Sequence, residues 1–139
     1  MKIFLGGTCP QSKEDFNYRN LLIPFLDLNG IDYFDPVVED WTEDCIEIEE
    51  QQKEICDVHL FVISYNMKGV YSIAEAFDSY IKGKRSILVV IEEKFDKQQL
   101  KSLNATLNLF CEYGESWTLD NIIDIDNTFV DEVILRSYK

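Results

Sequence analysis

The chain has 139 residues, of which 46% are hydrophobic and three are proline, a composition typical of one folded domain and not of a disordered protein. Its net charge of −13 argues against a nucleic-acid ligand, because affinity for DNA or RNA depends on Lys and Arg side chains that neutralise phosphates. Its apolar runs are far shorter than the roughly 20 residues of a membrane span, and the start of the chain is too short for a signal peptide. We therefore expect one domain, residues 1–139, in a cytoplasmic protein without a membrane or nucleic-acid partner.

Cysteine and histidine are too sparse for a metal site of the usual kind. The cysteines lack the Cys-x-x-Cys spacing of zinc ligands, and there is one histidine, His59. We expect free buried thiols at Cys9, Cys45, Cys56 and Cys111. His59 lies inside an apolar run, which predicts a core residue and not a catalytic base. We expect neither a metal nor a cofactor, and any proton transfer falls to carboxylates.

Short apolar runs alternate along the chain with longer amphipathic segments, in the pattern of strand-helix units. Strands are predicted at residues 2–5, 31–34, 58–64, 86–91 and 115–118. Helices are predicted at residues 13–28, 42–56, 69–82, 96–111 and 119–137. Thr42 is the predicted N-cap of the second helix, because its hydroxyl can accept a hydrogen bond from an amide of the first turn.

Strict alternation of five strands and five helices predicts a doubly wound, flavodoxin/Rossmann-like three-layer sandwich. Its five-stranded parallel sheet is expected to have the order 2-1-3-4-5. In that order the switch point lies between the first and third strands, where open α/β sheets bind their ligands. The loops that meet there are residues 6–10, 36–41 and 65–69. We therefore expect the functional site at this edge of the sheet.

The third predicted helix carries a carboxylate that packing does not require. Its apolar face is predicted to consist of Ile73, Ala76, Phe77, Tyr80 and Ile81. Glu75 projects away from that face, in the first turns of the helix, where the positive end of the helix dipole favours an ionised carboxylate. Glu75 is therefore a candidate nucleophile or electrostatic stabiliser.

The other two loops contain residues suited to a small ligand. Gly6-Gly7 allows the backbone to approach a ligand closely, and Thr8 adds a hydroxyl. Asp40-Trp41 puts an aromatic ring beside a carboxylate, a pairing that can stack on a purine or pyrimidine and bind its edge or a sugar hydroxyl. An equally simple interpretation of Trp41 is that it packs over the end of the sheet.

Four segments carry a resemblance to a known family. They are Phe4-Leu5-Gly6-Gly7-Thr8, Tyr33-Phe34-Asp35-Pro36 leading to Asp40-Trp41, Cys56-Asp57-Val58, and Gly69-Val70-Tyr71-Ser72-Ile73-Ala74-Glu75. Together they resemble the nucleoside 2-deoxyribosyltransferase family over about residues 1–92. Two positions depart from the family pattern. Glu75 is followed by Ala76-Phe77 where typical members have Leu-Gly, and Gly69 stands where classical members have an aspartate.

The resemblance implies the same flavodoxin-like fold and a glutamate that attacks the anomeric carbon of a nucleoside. Glu75 matches this nucleophile and Glu49 matches the family's second acid, with Asp40 as the other candidate for proton transfer or for orienting the base. The expected substrate-binding residues are Gly6, Gly7, Thr8, Trp41, Asn66, Gly69, Tyr71 and Ser72. Because a neighbouring subunit completes the active site in this family, the resemblance also implies a homo-oligomer.

The sequence therefore predicts an enzyme that cleaves or transfers the N-glycosidic bond of a (deoxy)nucleoside or nucleotide through a glycosyl ester on Glu75. One alternative is an NAD glycohydrolase resembling TIR domains, which share the layered topology and use a glutamate. The other is a catalytically silent nucleotide-binding or interaction module on the same fold, an interpretation that Gly69 favours. Release of nicotinamide identifies the first alternative, and binding without turnover identifies the second.

Overall fold

Five parallel strands form the central layer of the protein, in the order β2-β1-β3-β4-β5. They are β1 Lys2–Gly7, β2 Asp32–Phe34, β3 Val58–Ile63, β4 Arg85–Ile91 and β5 Glu115–Leu119. The computed structural model describes residues 1–10, 16–38 and 40–135. The observed order confirms the predicted flavodoxin-like sheet, whose switch point lies between β1 and β3.

Helices cover both faces of this sheet. They are α1 Tyr18–Leu28, α2 Asp44–Ile55, α3 Tyr71–Ile81, α4 Lys97–Phe110 and α5 Asn127–Phe129. A π-helical segment, Val130–Leu135, continues directly from α5. α1 and this C-terminal segment pack on one face of the sheet, whereas α3 and α4 pack on the other. Among the described residues, no helix is long and apolar enough to cross a membrane.

β3 and β4 form the centre of the hydrophobic core. Every residue of β3 is buried, and so is every residue of β4 after Arg85. Alternate side chains enter opposite faces: Leu60 lies on the α1 side of the sheet, whereas Phe61 lies on the α3 side. Strands that are covered by helices on both faces have continuous apolar sequences, which is why these two strands are easily recognised in the sequence.

The first two helices begin later than predicted. α1 begins at Tyr18, because the Asn17 side chain accepts a hydrogen bond from the Arg19 amide and caps the helix there. The predicted start, at residues 13–15, lies outside the described residues. The prediction that Thr42 caps α2 is wrong. The N-cap is Glu43, whose backbone is already helical and whose side chain makes no capping bond.

The predicted last helix, residues 119–137, is wrong over its first half. Leu119 still pairs with Ile91 in the sheet and ends β5. A 3-10 turn, Ile122–Asp124, follows, and α5 starts only after Asp126, whose carboxylate accepts from the Phe129 amide. Periodicity alone predicts one continuous helix over this apolar stretch. The capping side chains divide the stretch into separate short segments instead. Residues 136 and 137 lie outside the described residues.

Two burial predictions also need correction. α3 uses Ile73, Ala76 and Phe77 to pack on the core, but Tyr80 and Ile81, in its last turn, are 42% and 78% exposed. Tyr80 contacts the half-exposed ring of Tyr113 and not the core. Of the four cysteines, only Cys56 is buried, where burial raises the pKa of its thiol. Cys9 and Cys111 are exposed and Cys45 is half-buried, because Cys9 and Cys111 lie just beyond the ends of β1 and α4 and Cys45 lies in α2, a helix with no buried residue.

Candidate active site

A cavity of about 530 Å³ lies at the C-terminal ends of β1 and β3, between α2 and α3. Its walls come from the turn after β1, the inner side of α2, the loop after β3 and the first turns of α3. The loop after β2 contributes Pro36. These are the three loops that the strand order brings to the switch point, so the cavity lies where the sequence predicts a site.

The turn after β1 is held tightly against the end of β3. Gly7 has a φ of +106°, and a Cβ atom there would lie 2.1 Å from the Val62 carbonyl oxygen, so that only glycine fits without strain. The Thr8 amide donates to the same carbonyl at 2.9 Å, and the Thr8 hydroxyl accepts from the Ser64 amide at 3.0 Å. The glycine turn therefore presents backbone, and no bulky side chain, to the cavity.

A buried arginine supports this turn from behind. The Arg19 guanidinium donates to the carbonyl oxygens of Leu5 and Thr8 at 2.8 and 2.9 Å, and it pairs with Asp35 at 3.2 Å. The neighbouring Tyr18 hydroxyl donates to the Gly6 carbonyl at 2.5 Å, and burial raises the pKa of that phenol far above its usual value. α1 thereby fixes the ends of β1 and β2 relative to each other.

The opposite wall of the cavity holds three carboxyl groups, Glu49, Glu50 and Glu75, and the ammonium of Lys53. Glu75, on α3, forms an ion pair with Lys53 of α2, and the two side chains are 17% and 27% exposed. Glu49 lies one turn before Lys53 on α2 and also lines the cavity. Burial raises the pKa of Glu49, the Lys53 charge opposes this, and the Glu75 charge raises it further. Glu49 and Glu75 are therefore close enough to interact electrostatically. Their surroundings differ, because Glu75 forms the ion pair with Lys53.

His59 lies behind this wall and is buried, as the sequence predicts. Its Nε2 lies 2.7 Å from the Lys53 carbonyl oxygen, and its Nδ1 lies 2.7 Å from the Ser79 hydroxyl. Burial lowers the pKa of the imidazole, although the hydrogen bond to Lys53 acts in the other direction. His59 does not line the cavity, so it belongs to the support of the site and not to its surface.

Most of the predicted site residues come together in this cavity. Those that line it are Gly6, Gly7, Thr8, Glu49, Gly69, Tyr71, Ser72 and Glu75. Three others do not line it. Asp40 is exposed, Trp41 is 61% exposed, and Asn66 turns its carboxamide oxygen to the Ser64 hydroxyl at 2.8 Å.

Four charged residues that line the cavity were not among the predicted site residues: Arg19, Glu50, Lys53 and Lys68. Arg19 was hidden in an amphipathic helix pattern, in which a basic residue predicts a solvent-facing position. Lys53 lies in a strongly charged helix, a pattern that predicts no particular role for a lysine, although its spacing of four residues from Glu49 puts both on one side of α2. That spacing is the signal that could have found Lys53. Among the described residues, no group of three or more potential ligands is arranged to hold a metal ion.

The fold and the cavity define a class: a doubly wound α/β protein with interacting carboxyl groups at its switch point. A family model described as nucleoside 2-deoxyribosyltransferase like matches residues 1–95, and the chain belongs to this family. No curated protein matches its sequence significantly.

Two solved structures share the fold. A 2-deoxyribosyltransferase from the psychrotolerant bacterium Bacillus psychrosaccharolyticus is similar with a TM-score of 0.60 at 16% identity, over 91% of this chain and 91% of that chain. A conserved protein from Enterococcus faecalis V583 is similar with a TM-score of 0.58 at 17% identity, over 89% of this chain and 93% of that chain. At such low identity these similarities establish the fold alone.

Proposed function

We propose that the protein cleaves or transfers the N-glycosidic bond of a (deoxy)nucleoside or nucleotide, with Glu75 as the nucleophile. One observation carries this proposal: Glu75 and Glu49 approach the same cavity from two different helices and interact electrostatically there. Two carboxyl groups at one cavity suit displacement at an anomeric carbon, where one attacks and the other transfers a proton. Membership of the nucleoside 2-deoxyribosyltransferase-like family supports the choice of substrate class.

In the first step, a Glu75 carboxylate oxygen attacks the anomeric carbon of the sugar. The bond between that carbon and the base nitrogen breaks, and its electron pair leaves with the base. The proton that the departing base needs comes from the Glu49 carboxyl, whose pKa is raised by burial and by the nearby Glu75 charge. The products of this step are a free base, a glycosyl ester on Glu75 and an ionised Glu49.

In the second step, water or a second base attacks the same carbon and releases Glu75. The incoming nucleophile gives up a proton to the Glu49 carboxylate, which restores the starting state. Water as the nucleophile makes the protein a hydrolase, and a base makes it a transferase. Asp40 remains the other candidate for this proton transfer, but its exposed position favours Glu49.

The turn after β1 and the start of α3 supply the proposed binding surface. Gly6 and Gly7 leave the backbone accessible to a sugar or a base, and Thr8 adds an uncharged residue to the cavity lining. Across the cavity, Ser72 offers a hydroxyl and Tyr71 an aromatic ring that is 74% exposed. A ring that is so exposed covers little of a ligand by itself. A second protein surface over the Tyr71 side of the cavity would therefore complete the binding site.

We propose that a neighbouring copy of the chain supplies that surface. Large apolar side chains that line the cavity are exposed, as Tyr71 and Ile46 are, which supports a protein interface there. Light scattering at working concentration is then expected to give a multiple of the 16.3 kDa chain mass. A monomer under conditions in which the protein is active would contradict the homo-oligomer.

The test of the proposed activity is a substrate panel. The protein is incubated with nucleosides, deoxynucleosides, their monophosphates and NAD, with and without a second base, and the products are separated by chromatography. We expect release of free base from at least one compound, and Glu75→Gln is expected to lower kcat by about 10³-fold or more while the ligand still binds. Glu49→Gln is expected to cost less than Glu75→Gln, about 10²-fold.

Asp78→Asn is the matched control, because Asp78 lies one turn further along α3, is 57% exposed and does not line the cavity. It is expected to keep the wild-type rate. A Glu75→Gln variant with near wild-type turnover would exclude the glycosyl ester. Nicotinamide release from NAD alone would identify an NAD glycohydrolase, and binding without turnover would identify a silent nucleotide-binding module.

A further inference from the structure

Lys53 occupies a position that packing does not explain. α2 has no buried residue, yet Lys53 extends its ammonium inward, where it lies 5.3 Å from the centre of the Phe4 ring and pairs with Glu75. An exposed lysine on such a helix loses little by pointing to water, since a surface ion pair contributes only about 0–1 kcal/mol. The inward position of Lys53 therefore needs another cause.

A buried hydrogen-bond chain connects the two helices of the cavity wall at Lys53. Ser79, on α3, contacts His59 on β3, and His59 contacts the Lys53 carbonyl on α2. A carbonyl oxygen can only accept, so Nε2 of His59 carries a proton and Nδ1 accepts from the Ser79 hydroxyl. Ser79 lies one turn after Glu75, on the same side of α3. The chain thus fixes the backbone of Lys53 opposite the helix that carries Glu75.

Two connections then join α2 to α3, and both are made by Lys53. The first runs through the Lys53 backbone and His59, and the second is the ion pair between the Lys53 and Glu75 side chains. Because Glu49 lies one turn before Lys53, the same geometry sets where Glu49 faces Glu75. A displacement of Lys53 would therefore move both carboxyl groups relative to the ligand.

We infer that Lys53 is a positioning residue for the proposed reaction: its ammonium holds the Glu75 carboxylate in the cavity wall and lets Glu49 lie beside it. The inference rests on the proposed function, because it names what orients the nucleophile of that reaction. Lys53 acts through Glu75 and Glu49 and takes no part in bond making. Without the cation, the two carboxyl groups would repel each other when both are ionised.

The charges around Glu49 give this role a measurable signature. Burial and Glu75 raise the pKa of Glu49, whereas Lys53 lowers it. The other titratable or charged groups that line the cavity are Cys9, Arg19, Glu50, Lys68 and Tyr71. Loss of the Lys53 charge removes the influence that opposes burial and the Glu75 charge, so Glu49 then keeps its proton to higher pH.

The test compares Lys53→Met and Lys53→Gln with Lys53→Arg on the substrate found by the panel. Both neutral variants are expected to lower kcat/KM by about 10²-fold, mainly through kcat, because a misplaced nucleophile slows the chemical step. The basic limb of their pH profile, which reports the proton of Glu49, is expected to move to higher pH. Lys53→Arg keeps the charge and is expected to restore most of the rate and the wild-type profile.

Lys82→Met is the matched control, because Lys82 forms an exposed ion pair with Asp78 on α3 and does not line the cavity. It is expected to change neither rate nor pH profile. The carboxyl titration of Glu49, followed by carbon-detected NMR without any substrate, is expected to move upward in Lys53→Met but not in Lys82→Met. This measurement keeps the inference testable if one neutral variant is too unstable for kinetics.

The outcomes separate the inference from the function on which it rests. If Glu75→Gln is inactive while Lys53→Met keeps the wild-type rate and profile, the positioning role is wrong and the proposed reaction stands. A loss of rate with an unchanged Glu49 titration would also overturn the role. If Glu75→Gln is fully active, the proposed reaction is wrong and Lys53 has no nucleophile to position.

Discussion

α1 and α2 both border the cavity, but they are attached to the protein in different ways. α1 buries four side chains, Tyr18, Arg19, Leu22 and Leu26, and has a reciprocal cap between Asn17 and Asn20. α2 buries none and has no side-chain cap. Yet α2 supplies Glu49 and Lys53 to the cavity, whereas Arg19 of α1 uses its donors on the protein itself.

Polar contacts hold α2 in place instead of a hydrophobic face. The Lys2 ammonium donates to the Gln52 side chain at 2.7 Å, and the Lys84 ammonium donates to the Glu54 carbonyl at 2.5 Å. His59 makes the buried contact, to the Lys53 carbonyl. Such bonds contribute about 0.5–1.5 kcal/mol each and depend on geometry, whereas a buried leucine contributes about 1.5–3 kcal/mol from almost any close packing. α1 is thus a structural helix, and α2 is a helix whose position depends on a few exact contacts.

The largest effect on stability is expected in α1. Leu22→Ala should lower the free energy of unfolding by about 2–5 kcal/mol, because it leaves a cavity where a side chain with 0% exposure was packed. Urea denaturation measures this. Leu28→Ala, the same substitution at a position that is 75% exposed in the same helix, is the control and should stay within about 0.5 kcal/mol of wild type. Equal losses at both positions would contradict the proposed anchoring of α1.

The next largest effect is expected from the contact that holds α2. Ser79→Ala should cost about 1–3 kcal/mol, because it leaves Nδ1 of the buried His59 without its donor. Ser86→Ala is the control, since the Ser86 hydroxyl donates to the Ala76 carbonyl of the same helix at 2.8 Å, whereas the His59 ring bonds to Ser79. Amide hydrogen exchange in α2 should become faster in Ser79→Ala and not in Ser86→Ala. Faster exchange in both variants would show that α2 depends on α3 in general and not on this chain of bonds.

A third prediction concerns pH. Burial lowers the pKa of His59 below its ordinary value of 6.5 in the folded state. Between that lowered pKa and 6.5 the unfolded chain binds a proton that the folded chain does not, so the contribution of His59 to stability is lost as the pH falls. The stability of wild type relative to His59→Gln should decrease below pH 6.5, with a slope of up to about 1.4 kcal/mol per pH unit. Parallel stability curves for the two proteins would contradict a neutral His59.

The smallest effect is expected on the outer side of α2. Ile48 is 48% exposed, and Ile48→Ala should change the free energy of unfolding by no more than about 0.5 kcal/mol. The measurement is made on dilute protein, where association does not contribute. A loss above 1.5 kcal/mol that persists on further dilution would mean that α2 has a hydrophobic attachment after all.

The sequence predicts the strands of this protein better than the ends of its helices. Buried parallel strands are continuous apolar runs, so β3 and β4 are found within one residue of their observed ends. Helix ends depend on capping side chains with several competing choices nearby. Asn17 and Glu43, and not the residues favoured by the pattern, begin α1 and α2, and Asp126 delays the last helix.

The same contrast applies to the candidate site. Gly6, Gly7 and Glu75 line the cavity because topology brings the C-terminal ends of β1 and β3 together, and a strand order is enough to predict that. Trp41 and Asp40 lie in the longer connection between β2 and α2, whose path no periodic pattern determines. They are exposed and do not line the cavity.

The sequence by itself therefore determined the sheet order, the edge of the sheet that carries the cavity, and the presence of Glu75 at that edge. These features follow from local periodicity and from the few topologies that parallel strands allow. The place of Glu49 was implied by the family resemblance and not by the sequence pattern. Only the tertiary structure decided that Lys53 points inward, that it pairs with a residue 22 positions away, and that a buried histidine holds its backbone. The physical reason is that α2 has no apolar face, so nothing in its own sequence specifies which side meets the sheet.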